Sequence, residues 1–323
     1  MKIVAIGGGT GLSILLRGLK KVTNDITAIV SVADDGGGSG ILRKDLGMLP
    51  PGDIRSCILA LANREPILME LMNYRFTEGN LKGQNFGNLL IAAMNGISSN
   101  FGEAIKKVND ILAVTGKVIP VSTDDITLFG ELENGEVIKG ESMIPFESLK
   151  ASSAIKRVFI EPEDAKCFQE AIDAIMEADI IVMGPGSLYT SIIPNLLIKE
   201  IRNAILESRA MKAYVVNLMT QPGETDKYGV ADHVHAIESY LGKGVIDHVL
   251  VNSSSINGET MLKYNRQKAY ILEPDKSEID ELNELGYNVA LDDFLEEKEH
   301  YIRHDALKIA EKLKILCGER CNE

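Results

Sequence analysis

The sequence contains no tryptophan, and aromatic residues make up only 5% of its 323 residues. Proteins that hold single-stranded nucleic acid stack bases on aromatic side chains, so this composition argues against that role. Basic residues are also few: 34 Lys and Arg face 47 Asp and Glu, which gives a formal net charge of −13. A chain of this charge repels nucleic-acid backbones and anionic membranes. We therefore expect neither of them as a partner.

Long hydrophobic runs are absent as well. No apolar stretch approaches the roughly 20 residues that a membrane-spanning helix needs, and Met1–Gly7 is typical of a strand and lacks the features of a signal peptide. The cysteines show no repeated C-x-x-C spacing, which favours free thiols in a reducing compartment. They are Cys57, Cys167, Cys317 and Cys321. The sequence predicts a cytoplasmic protein without membrane insertion.

The chain does contain a repeated alternation of short apolar strands and amphipathic helices. It opens with a strand at Ile3–Ile6, a glycine turn, a helix that carries leucines at helical spacing, and a second strand at 26–32. Further strands are predicted at 179–183, 212–218 and 247–252, and further helices at 195–207, 230–241 and 304–316. This alternation predicts an α/β fold: a Rossmann-like, doubly wound and mostly parallel sheet.

One segment breaks the alternation. Residues 126–132 and 136–140 flank Asn134-Gly135, a strong signal for a two-residue hairpin turn. We expect an antiparallel hairpin inserted at about 126–140. Because no linker-like or low-complexity stretch divides the chain, residues 1–323 are predicted to form a single domain.

The turn after the first strand is rich in glycine. Gly8, Gly9, Thr10 and Gly11 would leave backbone N–H groups open to an anion at the positive end of the following helix. Leu12 stands where the dinucleotide fingerprint G-x-G-x-x-G requires its third glycine, and the Walker A pattern is absent. The sequence predicts an anion-binding turn, and a tight β-α turn without a ligand is the simpler alternative.

Two adjacent carboxylates, Asp34 and Asp35, follow the second strand and precede the glycine loop 36–40. Acidic residues at this position can accept hydrogen bonds from a ribose. Carboxylates beside a phosphate site can also hold Mg²⁺. An exposed Asp-Gly turn is the third interpretation, and the sequence leaves the choice open.

Other loops after strands carry polar residues. Gly184, Gly186 and Ser187 follow a buried strand, and Asn217 ends the next one, at the edge where ligands of open α/β sheets bind. A rigid turn around Pro185 explains the first group equally well. Asn85-Phe86-Gly87-Asn88 opens an apolar helix, where we expect the asparagines to be caps.

The five histidines do not form a metal-binding pattern. His233 and His235 are two residues apart on a helical stretch and do not face each other. His300 and His304 lack an accompanying H-E-x-x-H pattern, and we expect surface or capping roles for them. No nucleophile elbow G-x-S-x-G occurs.

Several motifs taken together resemble the CofD-like family, and more narrowly its YvcK-type branch of gluconeogenesis factors. The resemblance covers the chain from Met1 to about Leu316. The motifs lie at residues 1–11, 32–37 (VADDGG), 49–55 (LPPGDIR), 183–191 (MGPGSLYTS) and 219–226 (MTQPGETD).

The resemblance implies a Rossmann-like fold and two functions. Archaeal-type relatives are 2-phospho-L-lactate transferases that use Mg²⁺ and a deazaflavin. The YvcK-type branch is associated with UDP-sugars such as UDP-N-acetylglucosamine, with cell shape and with growth on gluconeogenic carbon sources, and has no established reaction. In that branch, the positions matching Tyr264 and Arg303 are linked to the UDP-sugar. The family's loop Asp-Asp-Gly-Gly-Ser-Ser-Gly-Arg reads DDGGGSGI at residues 34–41 here, so one Ser and one Arg are missing.

These observations predict a protein that binds a small nucleotide-sugar, with a Mg²⁺-dependent transferase as the alternative. An NAD-dependent dehydrogenase rests on the β-α-β unit alone, although NAD could occupy the turn in vitro. The sequence leaves open whether any reaction is catalysed and whether the chain assembles into a homo-oligomer.

Overall fold

A seven-stranded parallel sheet forms the centre of the protein. The structure is a computed structural model and describes residues 1–63, 66–298 and 301–320. The spatial order of the sheet is β10-β9-β8-β7-β1-β2-β3. The strands are β1 (Ile3–Gly7), β2 (Ile26–Val30), β3 (Lys117–Pro120), β7 (Ile180–Met183), β8 (Met211–Val215), β9 (His248–Asn252) and β10 (Asn288–Asp292). Strands β1, β2 and β7 are buried along their whole length, as expected for a parallel sheet covered on both faces. The predicted fold class is confirmed.

Helices cover the sheet. They are α1 (Gly9–Val22), α2 (Gly37–Leu46), α3 (Gly52–Leu61), α4 (Pro66–Asn73), α5 (Phe86–Gly96), α6 (Phe101–Ile111), α7 (Ile144–Ala151), α8 (Gln169–Glu177), α9 (Ile193–Leu196), α10 (Lys199–Glu207), α11 (Val230–Leu241), α12 (Gly258–Arg266), α13 (Lys276–Glu284) and α14 (Ala306–Arg320). Among the described residues, no helix is both long and apolar enough to cross a bilayer.

The predicted hairpin is confirmed, and it belongs to a larger unit. Strands β4 (Thr127–Leu132) and β5 (Val137–Lys139) pair antiparallel across the Asn134-Gly135 turn. The sequence analysis missed β6 (Ile155–Glu161), which pairs with the other side of β4 and completes a three-stranded antiparallel sheet. Because β6 carries two adjacent charges, Lys156 and Arg157, the strict alternation that marks a strand is broken there.

Three predicted boundaries near the carboxyl edge of the sheet were wrong. The second strand ends at Val30, and residues 31–36 form a loop. The helix predicted over 195–207 begins earlier, with a π-helical turn at Leu188–Ile192 and then α9, and it is interrupted before α10. The strand predicted over 212–218 is β8, and residues 216–222 leave the sheet as a loop.

The end of the chain differs most from the prediction. The final helix begins at Ala306, because residues 295–304 form a second hairpin of β11 (Leu295–Lys298) and β12 (Tyr301–His304). Gly18 lets α1 and α14 approach closely, since a Cβ on it would lie 2.9 Å from the Cβ of Ala306. This packing holds β12 beside the amino-terminal part of α1.

The connectivity creates a switch point beside β1. The chain passes from β1 to β2 on one side, and β7 later pairs with β1 on the other. Loops from neighbouring strands diverge at such a point and leave a crevice at the carboxyl ends of the strands. The loops after β1, β7 and β8 therefore meet at this edge.

Candidate functional site

A cavity of about 430 Å³ lies at this switch point. Three loops of the sheet form one wall, and α12 with the β11–β12 hairpin forms the other. The lining residues are Thr10, Gly11, Ile14, Pro185, Gly186, Ser187, Asn217, Leu218, Met219, Thr220, Gln221, Pro222, Tyr264, Gln267, Ala269, Ile302, Arg303 and His304. Its volume is in the range of small-molecule sites in proteins.

Seven of the predicted site residues line this cavity. They are Thr10, Gly11, Gly186, Ser187, Asn217, Tyr264 and Arg303. They come from five separate parts of the sequence, which the parallel sheet, α12 and the second hairpin bring together. Gly8, Gly9, Gly184, Asp34 and Asp35 were predicted with them, but they do not line the cavity.

Gly11 is required by packing at the cavity wall. A Cβ at this position would lie 2.8 Å from the carbonyl carbon of Pro185 and 2.9 Å from the Cα of Gly186. The first turn of α1 and the loop after β7 therefore touch backbone to backbone. This wall of the cavity can form only because Gly11 has no side chain.

The amide of Asn217 makes two hydrogen bonds with the backbone of Gly186. Its Oδ1 accepts a hydrogen bond from the N–H of Gly186 at 3.1 Å, and its Nδ2 donates to the Gly186 carbonyl at 2.9 Å. Gly186 has a φ of +157°, a conformation that residues with a side chain rarely adopt. Asn217 thus holds the shape of the 184–187 loop.

Tyr264 and Arg303 stand on the opposite wall. The hydroxyl of Tyr264 accepts a hydrogen bond from the N–H of Ile302 at 3.2 Å, which ties α12 to β12 next to Arg303. The guanidinium of Arg303 is exposed, and it makes no ion pair or hydrogen bond with any residue that the structure describes. An unpaired guanidinium at the edge of a cavity can hold a phosphate or carboxylate with two parallel hydrogen bonds.

His304 corrects a prediction of the sequence analysis. We expected a surface or capping residue, but His304 is buried at the end of β12, and its Nε2 lies 3.0 Å from the carbonyl oxygen of Val216. Burial lowers its pKa to about 4, so the ring is neutral at pH 7 and Nε2–H donates to that carbonyl. His300 lies outside the described residues. No periodic pattern of apolar residues marks this short strand, so sequence reasoning had little to detect it with.

Gly8 and Gly9 face a carboxylate of the protein itself. A Cβ on Gly8 would lie 2.6 Å from one Asp53 carboxylate oxygen, and a Cβ on Gly9 would lie 3.5 Å from the other. Asp53 comes from the first turn of α3. The acidic group that borders these two glycines is therefore Asp53, and the part of the turn that borders the cavity is Thr10 and Gly11.

Asp53 belongs to a group of carboxylates. Burial and the charge of Asp34 raise the pKa of Asp53 to about 7. Burial, Asp34 and Asp53 raise the pKa of Glu141 to about 8. The pKa of Asp34 is raised too, mainly by burial, although its carboxylate accepts a hydrogen bond from the N–H of Gly36 at 2.8 Å. Sequence reasoning missed Asp53 and Glu141 as site candidates, although Asp53 stands in the motif at 49–55.

Asp35 borders this group and is held by the segment that follows β5. Its Oδ1 accepts a hydrogen bond from the N–H of Ser142 at 2.9 Å, which joins the loop after β2 to the antiparallel sheet. Within the residues that the structure describes, no three His, Cys, Asp or Glu side chains are arranged to hold a metal ion by themselves. Any cation here would need oxygen atoms from a ligand or water.

Asn85 confirms a smaller prediction. Its side chain accepts a hydrogen bond from the N–H of Asn88 at 3.1 Å and caps α5. Asn88 itself is not a cap; it lies in the first turn of the helix.

Comparison with known proteins agrees with this architecture. The family model for 2-phospho-L-lactate transferase CofD matches residues 3–295. This chain belongs to the CofD family. A gluconeogenesis factor of Bacillus subtilis is 47% identical over 98% of this chain and 98% of its own length. A gluconeogenesis factor of Halalkalibacterium halodurans is 47% identical over 96% of this chain and 95% of its own length. A crystal structure of a upf0052 family member from Bacillus halodurans superimposes with a TM-score of 0.92 at 46% identity, covering 96% of this chain and 98% of that one. The resemblance expected from the motifs is therefore confirmed.

Proposed function

We propose that this CofD-family protein binds a UDP-sugar, such as UDP-N-acetylglucosamine, in the cavity at the switch point. The observation that carries the proposal is the position of Arg303, an unpaired guanidinium on β12 that shares one cavity with Thr10, Gly11 and Ser187. A diphosphate bound between these residues would contact the guanidinium on one side. On its other side the diphosphate would contact the amino-terminal turn of α1 and the hydroxyl of Ser187.

The apolar part of the cavity suits a nucleoside. The ring of Tyr264 and the side chain of Ile302 lie on the same wall as Arg303. A flat base can pack on such a surface while its polar edge reaches backbone groups of the loop 217–222. The acidic charge of the whole chain is compatible with this ligand, because recognition depends on local groups and not on net charge.

Calorimetric titration with UDP-N-acetylglucosamine tests the proposal. Arg303→Ala should weaken binding by about 1.5–3 kcal/mol, the contribution of hydrogen bonds to a charged group. Arg303→Lys should recover only part of this loss, because an ammonium cannot make the paired contact. Arg266→Ala is the matched control, since Arg266 is exposed on α12 and does not line the cavity. No heat with the wild type, or equal affinity in Arg303→Ala, would reject the proposal.

We further propose that ligand binding here maintains cell shape during growth on gluconeogenic carbon sources. Support comes from the relatives named gluconeogenesis factor. A bacterium whose own copy is replaced by the Arg303→Ala form should grow normally on glucose and lose normal shape on a gluconeogenic carbon source. The Arg266→Ala form should behave as wild type in both media.

The carboxylate group favours a second candidate function, a Mg²⁺-dependent transferase of a phosphorylated group. Asp34 and Asp53 repel each other, and a divalent cation would relieve that repulsion. Mg²⁺ is commonly held by one or two carboxylates together with ligand phosphates and water. Incubation with a deazaflavin, an activated phospholactate donor and Mg²⁺ should then give product, and Asp53→Asn should abolish it. Absence of product with the wild type at high concentration would remove this candidate.

A further inference from the structure

Arg55 in α3 is a half-buried cation without a partner. Its Nε is buried and makes no hydrogen bond, and no ion pair joins its guanidinium to any residue in the described part of the chain. Burial and the nearby charge of Arg75 lower the pKa of Arg55, and the charge of Asp53 offsets only part of this. Half-burying an unpaired charge costs free energy unless another group compensates it.

The aliphatic part of the Arg55 side chain packs against the beginning of α5. Gly87 lies in the first turn of that helix, and a Cβ on it would be 2.8 Å from the Cδ of Arg55. The amino-terminal end of a helix carries positive potential. At α5 the N–H of Asn88 is already bonded to the Asn85 cap and the N–H of Phe86 to the carbonyl of Tyr74. Arg75 lies beside the same helix end, because its backbone pairs with Asn85. Two arginines and a helix amino terminus therefore lie close together, and no carboxylate among the described residues forms an ion pair with Arg55.

Two buried amides at this place also lack partners. Asn88 in the first turn of α5 is 4% exposed, and its Oδ1 makes no hydrogen bond. Gln84, two residues before the helix, is 7% exposed, and its unpartnered Oε1 would lie 3.1 Å from a Cβ on Gly38. Buried amide oxygens are almost always hydrogen-bonded, so these two unpartnered oxygens at the start of α5, the helix that Arg55 contacts at Gly87, point to a missing ligand.

We propose that Arg55, Gln84, Asn88 and the amino terminus of α5 form a second binding site, which takes the oxyanion of a small metabolite. The guanidinium of Arg55 and the helix end would hold the oxyanion. The amides of Gln84 and Asn88 would pair with hydroxyl or amino groups next to it. Phosphate monoesters and carboxylates share this chemistry.

This site is separate from the cavity proposed for the UDP-sugar. None of Arg55, Gln84 and Asn88 lines that cavity. The two sites lie on the loops of different strands, since the cavity is formed after β1, β7 and β8, whereas Arg55 and Gln84 belong to the segment between β2 and β3. The second site therefore does not depend on the proposed function.

Thermal unfolding in the presence of simple anions tests the inference. Inorganic phosphate or acetate, at about 20 mM and at an ionic strength matched with chloride, should raise the Tm of the wild type by roughly 2 °C or more if it binds the native state. A response to phosphate assigns a phosphoryl ligand, and a response to acetate alone assigns a carboxylate. All of these measurements are made in the Arg303→Ala background as well, where the first cavity lacks its guanidinium, and the response that remains there belongs to the second site.

Arg55→Met provides the decisive comparison. In chloride it should melt at or above the wild-type temperature, because the substitution removes an unpaired charge and keeps the length of the side chain. It should also lose the response to phosphate or acetate, and Arg55→Lys should keep only part of it. The inference is overturned if neither anion stabilises the wild type, or if Arg55→Met responds fully. Failure of Arg55→Met to fold would also overturn it, because the guanidinium would then have a partner within the protein.

Discussion

Substitution of Gly11 by alanine tests the wall of the cavity directly. The added Cβ would meet the Pro185 carbonyl carbon at 2.8 Å and the Gly186 Cα at 2.9 Å. Both are backbone atoms, so neither can turn away as the end of a side chain could. Ordinary contacts of a Cβ lie beyond about 3.4 Å, and α1 or the 184–187 loop must therefore shift by roughly half an ångström or more.

Two effects should follow from that shift. Overpacking of this kind costs about 1–3 kcal/mol in the free energy of unfolding, which corresponds to a fall in Tm of roughly 2–4 °C per kcal/mol or slightly less in a chain of this size. The shift also moves Gly186 away from Asn217 and distorts the wall. We expect the affinity for UDP-N-acetylglucosamine to fall at least tenfold, or about 1.4 kcal/mol.

Gly7→Ala is the matched control, because the nearest atoms to its added Cβ are Leu12 side-chain carbons at 3.7 Å, an ordinary contact. Urea unfolding and calorimetric titration of both variants measure the two effects. If Gly11→Ala unfolds and binds like Gly7→Ala, the close approach described here is wrong. If it loses stability and keeps full affinity, the wall does not hold the ligand.

Three further predictions concern single side chains. Asn217→Ala removes both hydrogen bonds to Gly186, so unfolding should become easier by about 1–3 kcal/mol and the UDP-sugar should bind more weakly, as urea unfolding and calorimetry would show. Burial and Asp34 raise the pKa of Asp53 from 3.8 to about 7, so the native state holds a proton that the unfolded state has released. The stability that this proton contributes to the native state is therefore lost as the pH rises from about 4 to about 7. Asp53→Asn should flatten this part of the stability profile and exceed the wild type at pH 8, and a parallel profile would contradict the proposed repulsion. Tyr264→Phe keeps the ring but loses the acceptor for the Ile302 N–H. We expect the affinity for the UDP-sugar to fall several-fold in calorimetry, because the hydroxyl positions β12. Unchanged affinity would show that only the ring of Tyr264 contributes to binding.

Local pattern was sufficient for five of the seven strands of the sheet, β3 and β10 being missed, and for some of the residues of the cavity wall. Buried parallel strands read as continuous apolar runs, and the glycines, Ser187 and Asn217 stood directly after such runs, where ligands of α/β sheets bind. Tyr264 and Arg303 carried no signal of their own, and only the resemblance to a family singled them out. The antiparallel strand β6 and the hairpin β11–β12 were missed, because their charged and short segments lack a clear period of two.

The amino-acid sequence by itself determined the fold class, the hairpin turn, the cap of α5 and the family. The first three follow from periodicity or from residues adjacent along the chain, and the family follows from the resemblance of several motifs taken together. Only the tertiary structure decided that Asp53 borders the glycine turn at Gly9, that His304 is buried and neutral, and that Arg55 has no partner. These facts depend on which side chains meet across elements far apart in sequence. Burial and charge pairing, the quantities that set pKa and binding chemistry, exist only once the chain has folded.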